Sequence, residues 1–137
     1  MDKKDKKILV IEDDEALAGM YAEGIKKEGY TVILATDGQK GAEIILAETP
    51  DFIVLDIMLP KKNGFEILEI IRSTPHTRHI PIIVLTAFSK SEYAEKVNSY
   101  GVAGFFNKAI TVPKEIVFLI NNILFSAEKS DSIQFQE

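Results

Sequence analysis

The amino-acid sequence predicts one α/β domain, in which a single five-stranded parallel sheet carries five helices on its two faces. Short continuous apolar runs alternate strictly with segments whose apolar residues recur at helical spacing. Such runs are typical of strands buried on both faces, and the alternation favours a doubly wound parallel sheet with right-handed crossovers. The 137 residues are 46% hydrophobic and 27% charged, which matches one globular domain.

The strands are predicted from these apolar runs and from the residues that interrupt them. Ile8 to Ile11 is the first run, and the run that begins at Thr31 follows the helix-ending pair Gly29 and Tyr30. The five predicted strands cover residues 8–11, 31–35, 52–55, 82–85 and 103–106.

The helices are predicted from apolar stripes between the strands and from helix-boundary residues. The stripes are Leu17, Tyr21 and Ile25; Ala42, Ile45 and Leu46; Ile67, Leu68 and Ile71; and Tyr93, Val97 and Tyr100. Helix starts are marked by Asp37 with Gly38, by Ser89 and by Thr111 with Pro113, and ends by Gly29 and Gly101. The last helix is predicted over 113–128. The domain then covers 1–128, and 129–137 form a polar C-terminal tail with disorder as one interpretation.

Composition argues against several classes of function. The net charge of −5 lacks the basic surface of a domain that binds nucleic acid by itself. The absence of cysteine excludes disulfides, thiolate metal sites and cysteine nucleophiles. We see no signal-peptide pattern and no apolar run near the ~20 residues that span a bilayer. We therefore expect a cytoplasmic protein without a membrane or nucleic-acid partner.

Polar residues follow four of the predicted strands at the point where each strand ends. The carboxyl ends of parallel strands meet at one edge of a sheet, where open α/β sheets bind their ligands. We therefore expect these side chains to converge. They are Glu12, Asp13 and Asp14 after the first strand, Asp56 after the third, Thr86 after the fourth and Lys108 after the fifth.

This set of side chains predicts a phosphoryl-transfer site. Clustered carboxylates repel one another, so a hard divalent cation is expected among them, and Mg²⁺ is the natural candidate. An ionised carboxylate can attack phosphorus, which makes Asp56 the candidate nucleophile. Thr86 and Lys108 can then balance charge on the equatorial phosphoryl oxygens.

Four motifs resemble the receiver domains of two-component response regulators, including chemotaxis receivers. They are Ile-Glu-Asp-Asp at 11–14, Val-Leu-Asp-Ile-Met-Leu-Pro at 54–60, Val-Leu-Thr-Ala at 84–87 and Gly-Phe-Phe-Asn-Lys at 104–108. Each motif alone is weak evidence, but their order and spacing together are specific, and the resemblance covers residues ~6 to ~127. It implies a flavodoxin-like sheet with strand order 2-1-3-4-5.

The resemblance also implies a role for each site residue. A histidine kinase or a histidine phosphotransfer protein would be the donor, and a downstream output protein or a second copy would be the target. The family is not a conventional enzyme, although Mg²⁺-dependent self-phosphorylation and self-dephosphorylation are implied. The implied roles are phosphoryl acceptor for Asp56, metal binding for Glu12, Asp13, Asp56 and the Met58 carbonyl, phosphate sensing for Thr86 and Lys108, and a switch aromatic for Phe105.

Ordinary structural roles compete with some of these assignments. Asp14 could begin the first helix instead of touching the metal, since negative charge is favoured there. Thr86 could be a plain strand-end residue, Lys108 a solvated lysine and Phe105 a core aromatic. Two loop histidines, His76 and His79, indicate a metal only weakly.

Two other functions compete with the receiver hypothesis. A haloacid dehalogenase-type phosphatase also uses a strand-end aspartate and Mg²⁺, but it resembles a pattern with a second acid two residues later, where this chain has Met58. A pseudo-receiver would be a constitutive interaction module, yet every phosphorylation residue is present here.

The last helix and the peptide after Lys108 allow two further predictions. The last helix carries Phe118 and Phe125 seven residues apart, opposite a core stripe of isoleucines, which predicts a contact surface unless Phe135 of the tail covers it. Lys108 is followed by Ala109 instead of the proline that usually fixes a cis peptide in the family. A cis bond before a residue other than proline costs about 2.5–4 kcal/mol, so this peptide is predicted to be trans.

Overall fold

The chain folds into a five-stranded parallel sheet with strand order β2-β1-β3-β4-β5, as predicted. In this computed structural model, residues 2–87 and 90–134 are described. A short 3-10 helix, Lys3–Asp5, precedes the first strand. The strands are β1 (Lys7–Ile11), β2 (Thr31–Ala35), β3 (Phe52–Asp56), β4 (Ile82–Thr86) and β5 (Gly104–Asn107), and the helices are α1 (Glu15–Lys27), α2 (Gly38–Glu48), α3 (Gly64–Ser73), α4 (Lys90–Asn98) and α5 (Pro113–Gln134).

The helices begin and end largely where the sequence predicts. Asp37 caps α2 by accepting a hydrogen bond from the Lys40 amide, and Pro113 is the first residue of α5. Gly29 and Gly101 both have positive φ after the ends of α1 and α4, a conformation that glycine adopts without strain. The predicted start at Ser89 lies outside the described residues.

The sheet separates two layers of the core. The first contains Leu9, Ile53 and Val84 with side chains from α2, α3 and α4. The second contains Val10 and Val54 with side chains from α1 and α5. Because successive strand residues point to opposite faces, fully buried β3 and β4 serve both layers, as their continuous apolar runs predict.

One prediction about the last helix is wrong. Helix α5 continues to Gln134, beyond the predicted end at Glu128, so part of the predicted polar tail is helical. Its backbone departs from helical geometry at Phe125, where φ is −122° and ψ is 15°.

Within the described ranges, no helix combines the length and the apolar character needed to cross a membrane.

Candidate functional site

The carboxyl-terminal edge of the sheet brings the predicted polar residues together. Asp56 is the last residue of β3 and Thr86 is the last residue of β4. Glu12 directly follows β1, and Lys108 directly follows β5. The sheet order places β1 and β4 on either side of β3, so Asp56 lies in the middle of this edge.

Three carboxylates form a cluster at this edge. One oxygen each from Glu12, Asp13 and Asp56 lies within 4.8 Å of the others. Glu12 and Asp56 are 1% and 2% exposed, whereas Asp13 is exposed to solvent. Like charges held this close and this deep destabilise each other unless a cation neutralises them.

Lys108 supplies a cation to the two buried carboxylates. Its Nζ lies 3.1 Å from Asp56 Oδ2 and donates a hydrogen bond to Glu12 Oε2, also at 3.1 Å. Glu12 Oε1 lies 2.9 Å from the same nitrogen, without the alignment of a hydrogen bond. Two carboxylates therefore share one ammonium group, and their negative charge is only partly balanced.

The pKa values of Asp56 and Lys108 are shifted by burial and by their charged neighbours. Burial and, next, the negative charge of Glu12 raise the pKa of Asp56, while Lys108 and the Met58 amide lower it, and the net result is a pKa of about 7. The pKa of Lys108 is also raised: its burial acts in the opposite direction, but its contacts with Glu12 and Asp56 outweigh that effect.

The loop after β3 is held close to Asp56. The Met58 amide donates a hydrogen bond to Asp56 Oδ1 at 3.1 Å, and the Gly64 amide donates to the Ile57 carbonyl at 2.8 Å. A Cβ at Gly64 would lie 2.6 Å from Ile57 Cα, so glycine permits this close approach of α3 to the loop. Met58 therefore lies beside the acidic cluster, where the sequence predicts it.

The loop after β5 holds Lys108 through a compact turn. The Lys108 amide donates to the Thr86 carbonyl at 2.9 Å. The Ala109 amide donates to the Asn107 side-chain oxygen at 2.8 Å, and the Thr111 hydroxyl donates to the Asn107 carbonyl at 2.7 Å. The described peptides include no cis bond, which confirms the prediction for Lys108–Ala109. Alanine retains the N–H that this turn uses and that proline lacks.

The structure also places the residues whose roles the sequence left open. Asp14 caps α1, since its carboxylate accepts a hydrogen bond from the Leu17 amide, so its helix-start interpretation is confirmed. Thr86 is fully buried, and Phe105 is 7% exposed in the first core layer. Within residues 2–87 and 90–134, the one group of three or more potential metal ligands is the acidic cluster, and it includes neither His76 nor His79.

Sequence reasoning missed one polar group in the core. The helical spacing predicts Tyr21 in the apolar stripe of α1, and its side chain is fully buried in the second core layer. Its hydroxyl, however, is buried without a hydrogen-bond partner, and its electrostatic environment is set partly by Glu12, Asp56 and Lys108. Helical spacing alone does not distinguish a tyrosine at such a position from a phenylalanine.

The comparison with protein families decides the family of this chain. The model of the response regulator receiver domain matches residues 8–120, which is most of the sequence. The chain belongs to the response regulator receiver domain family.

Individual relatives agree with this assignment. The chain is 30% identical over 111 residues to the polar-differentiation response regulator DivK of Brucella anthropi, covering 81% of this chain and 90% of that protein. A CheY-like receiver domain structure from Methanospirillum hungatei has a TM-score of 0.79 at 25% identity, covering 91% of this chain and 98% of that one. A response regulator structure from Chloroflexus aurantiacus has a TM-score of 0.77 at 28% identity, covering 87% and 97%.

The acidic cluster of this receiver domain fits a hard divalent cation. All three of its side chains offer carboxylate oxygens, the donors that Mg²⁺ prefers. Two of them are buried, and one ammonium group does not neutralise both. The donor set and its unbalanced charge therefore match the magnesium ion that the family implies.

Proposed function

We propose that this receiver domain accepts a phosphoryl group on Asp56 from a histidine kinase or a histidine phosphotransfer protein. The observation that carries the proposal is the position of Asp56 at the end of the central strand, where its carboxylate shares Lys108 Nζ with Glu12. No other described aspartate combines burial with contact to both an acid and a lysine. We further propose that the protein works in the cytoplasm, where such kinases present their donor histidines.

In the proposed reaction, an Asp56 carboxylate oxygen forms a bond to phosphorus as the bond from phosphorus to the donor histidine nitrogen breaks. The electron pair of that bond remains on the imidazole, so no oxidant or reductant is needed. Lys108 turns its ammonium group from Glu12 to the new phosphoryl oxygens, and the Thr86 hydroxyl binds another of them. The short Lys108 contacts support this role, because the ammonium already lies 3.1 Å from Asp56 Oδ2.

Glu12, Asp13, Asp56 and the Met58 carbonyl are the groups proposed to hold Mg²⁺. When bound, the ion would neutralise the carboxylates and the transferred phosphoryl oxygens. Two observations support this set of ligands. Two of the carboxylates are buried beside a single lysine, and a hydrogen bond from the Gly64 amide to the Ile57 carbonyl fixes the loop that contains Met58.

Thr86 and Phe105 are proposed to transmit the phosphorylation state to the surface. Thr86 ends β4, and Phe105 lies on the neighbouring strand β5, opposite Val84. Phe105 belongs to the core layer that also contacts Tyr93 and Tyr100 near α4. Thr86 lies two residues after Val84, on the same face of the sheet as Phe105, so movement of Thr86 toward a phosphoryl group is expected to let the Phe105 ring change rotamer.

The site has an apolar border that suits a protein donor. Met58 is 47% exposed beside the cluster, and Ile110 and Val112 in the loop after β5 are 77% and 51% exposed. Exposed apolar side chains gathered around a reactive group are typical of a protein interaction surface. This border supports a protein donor for the phosphoryl group.

The output surface proposed on α5 depends on Phe118 and not on Phe125. Phe118 is 64% exposed beside a groove lined by Phe106, Lys114 and Leu119. Phe125 is only partly exposed, and its ring centroid lies 6.2 Å from that of Tyr30. The sequence-based prediction that both aromatics share an exposed surface is therefore wrong for Phe125. Phe135, the residue predicted to compete for this surface, lies outside the described residues.

Replacing Phe118 by Ser should weaken association of the phosphorylated domain with itself or its output protein by about 1–3 kcal/mol, as for an apolar anchor. Phosphoryl uptake should stay unchanged, because the hydrogen bonds to Asp56 come from Lys108 and the Met58 amide and not from α5. Sedimentation before and after phosphodonor treatment measures self-association. Leu46→Ser is the matched control, since Leu46 is 46% exposed on α2. Equal association of the Phe118→Ser variant and the wild type would contradict this surface.

The phosphoryl-acceptor proposal is tested by incubating the domain with Mg²⁺ and acetyl phosphate and measuring its intact mass. A receiver should gain one labile phosphoryl group, because an acyl phosphate hydrolyses readily. A pseudo-receiver would gain none. Steady release of phosphate from many donor molecules without accumulation on the protein would instead indicate a phosphatase.

A further inference from the structure

Tyr21 carries a buried hydroxyl that the core does not explain. The side chain is fully buried on α1, in a layer of aliphatic and aromatic residues. Among the described residues, two buried side-chain atoms have no hydrogen-bond partner, and they are Tyr21 Oη and Glu12 Oε1. Buried phenols usually find a partner, and leaving one unpaired is costly. A phenylalanine would fill the same core without that cost.

The Tyr21 hydroxyl interacts electrostatically with the Glu12 carboxylate. The pKa of the Tyr21 phenol is raised first by burial and next by the negative charge of Glu12, while Lys108 lowers it and Asp56 raises it. The geometry agrees, because Tyr21 packs in the same core layer as Val10 of β1, and Glu12, two residues after Val10, lies on that face of the sheet. A neutral phenol can donate one hydrogen bond, and a carboxylate oxygen can accept one.

Lys108 now occupies the position from which a donor would approach Glu12. Its ammonium lies 2.9 Å from Glu12 Oε1 and donates to Oε2. A divalent cation bound by the same carboxylates would repel this ammonium, and a phosphoryl group on Asp56 would attract it. In either case Glu12 Oε1 would lose its cationic neighbour while it remained buried. A buried donor without a hydrogen-bond partner, the Tyr21 hydroxyl, is then available on the same face of the sheet.

We infer that Tyr21 is a positioning residue, whose hydroxyl donates a hydrogen bond to Glu12 Oε1, directly or through one water, when Lys108 leaves that oxygen. This inference rests on the proposed function, because it requires that Glu12 binds a cation. The hydrogen bond restrains the Glu12 carboxylate from the core side and leaves its other oxygen available to a cation. Groups that orient a metal ligand in this way typically change metal affinity by 10–100-fold.

The test is Tyr21→Phe, which removes only the hydroxyl. Calorimetric titration with MgCl₂ should give a Kd about 10-fold higher than that of the wild type. Urea unfolding in EDTA should give an unchanged or higher midpoint, because the variant no longer buries an unpaired hydroxyl. A purely structural role would change the midpoint and leave the Kd unchanged.

Tyr30→Phe is the matched control. The Tyr30 hydroxyl donates to Asn121 Oδ1 away from the site, so its loss should lower the urea midpoint and leave the magnesium Kd unchanged. A Tyr21→Phe variant that binds Mg²⁺ as tightly as the wild type would overturn the positioning role and leave the proposed function standing. A wild-type domain that binds no Mg²⁺ would overturn both.

Discussion

Replacing Asp56 by Asn should abolish the gain of a phosphoryl group from acetyl phosphate. The carboxylate is the proposed nucleophile, and an amide oxygen is far less nucleophilic and would leave no labile acyl phosphate. The substitution preserves size, and Asn Oδ1 can still accept the Met58 hydrogen bond. The loss is therefore expected to be chemical and not a consequence of unfolding. Intact mass after incubation with Mg²⁺ and acetyl phosphate measures the effect.

Asp51→Asn is the matched control for this substitution. Asp51 lies just before the opposite end of the same strand, where its carboxylate accepts a hydrogen bond from the Lys7 amide at 2.8 Å. Its variant should take up one phosphoryl group as the wild type does. Stoichiometric labelling of the Asp56→Asn variant at another residue would refute the assignment of the acceptor.

The sequence predicts the fold of this receiver domain and the polar residues that meet at one edge of its sheet, because both depend on the same feature. A parallel sheet buried on both faces requires continuous apolar strands, and such strands end sharply where a polar side chain appears. Asp56 and Thr86 are therefore recognisable as strand ends, and sheet topology brings those ends together. Each strand end can be recognised from a few neighbouring residues of the sequence.

Contacts between distant residues could not be predicted in the same way. The sharing of Lys108 by Glu12 and Asp56 depends on side-chain geometry, which strand patterns do not specify. The turn made by the Asn107 side chain is also a geometric result, although asparagine commonly forms such turns. Helical spacing predicts an exposed Phe125 side chain. The backbone departs from helical geometry at this residue, and the ring lies against Tyr30 instead.

The metal-free domain should lose stability as the pH rises from 5 to 8. Asp56 has a folded-state pKa of about 7, above its ordinary value of 3.8, because burial and Glu12 oppose its ionisation. A raised carboxyl pKa means that the folded state binds the proton more tightly than the unfolded state does. The contribution of Asp56 to stability is therefore most favourable at low pH and becomes less favourable until the pH passes the folded pKa. The linkage relation gives a loss of roughly 3 kcal/mol over this range.

Other perturbed groups act outside this range. The pKa of Glu28 is lowered by its hydrogen bonds to Lys3 and Asn121, so its contribution is already complete above its ordinary value of 4.5. The raised pKa of Lys108 contributes stability that is lost only as the pH passes 10.5 and approaches the higher folded value. Asp56 should therefore dominate the change between pH 5 and 8.

Mg²⁺ should reverse this loss, because it favours the ionised carboxylates. At 100 times its Kd, a ligand that binds only the native state adds about 2.7 kcal/mol, and here the gain should be largest above pH 7. Urea unfolding at pH 5, 6, 7 and 8, in EDTA and in MgCl₂, measures both trends. Asp56→Asn should have a nearly flat profile in EDTA, since it lacks the titrating group. A metal-free wild type that becomes more stable from pH 5 to 8 would show that Lys108 fully compensates the buried carboxylates.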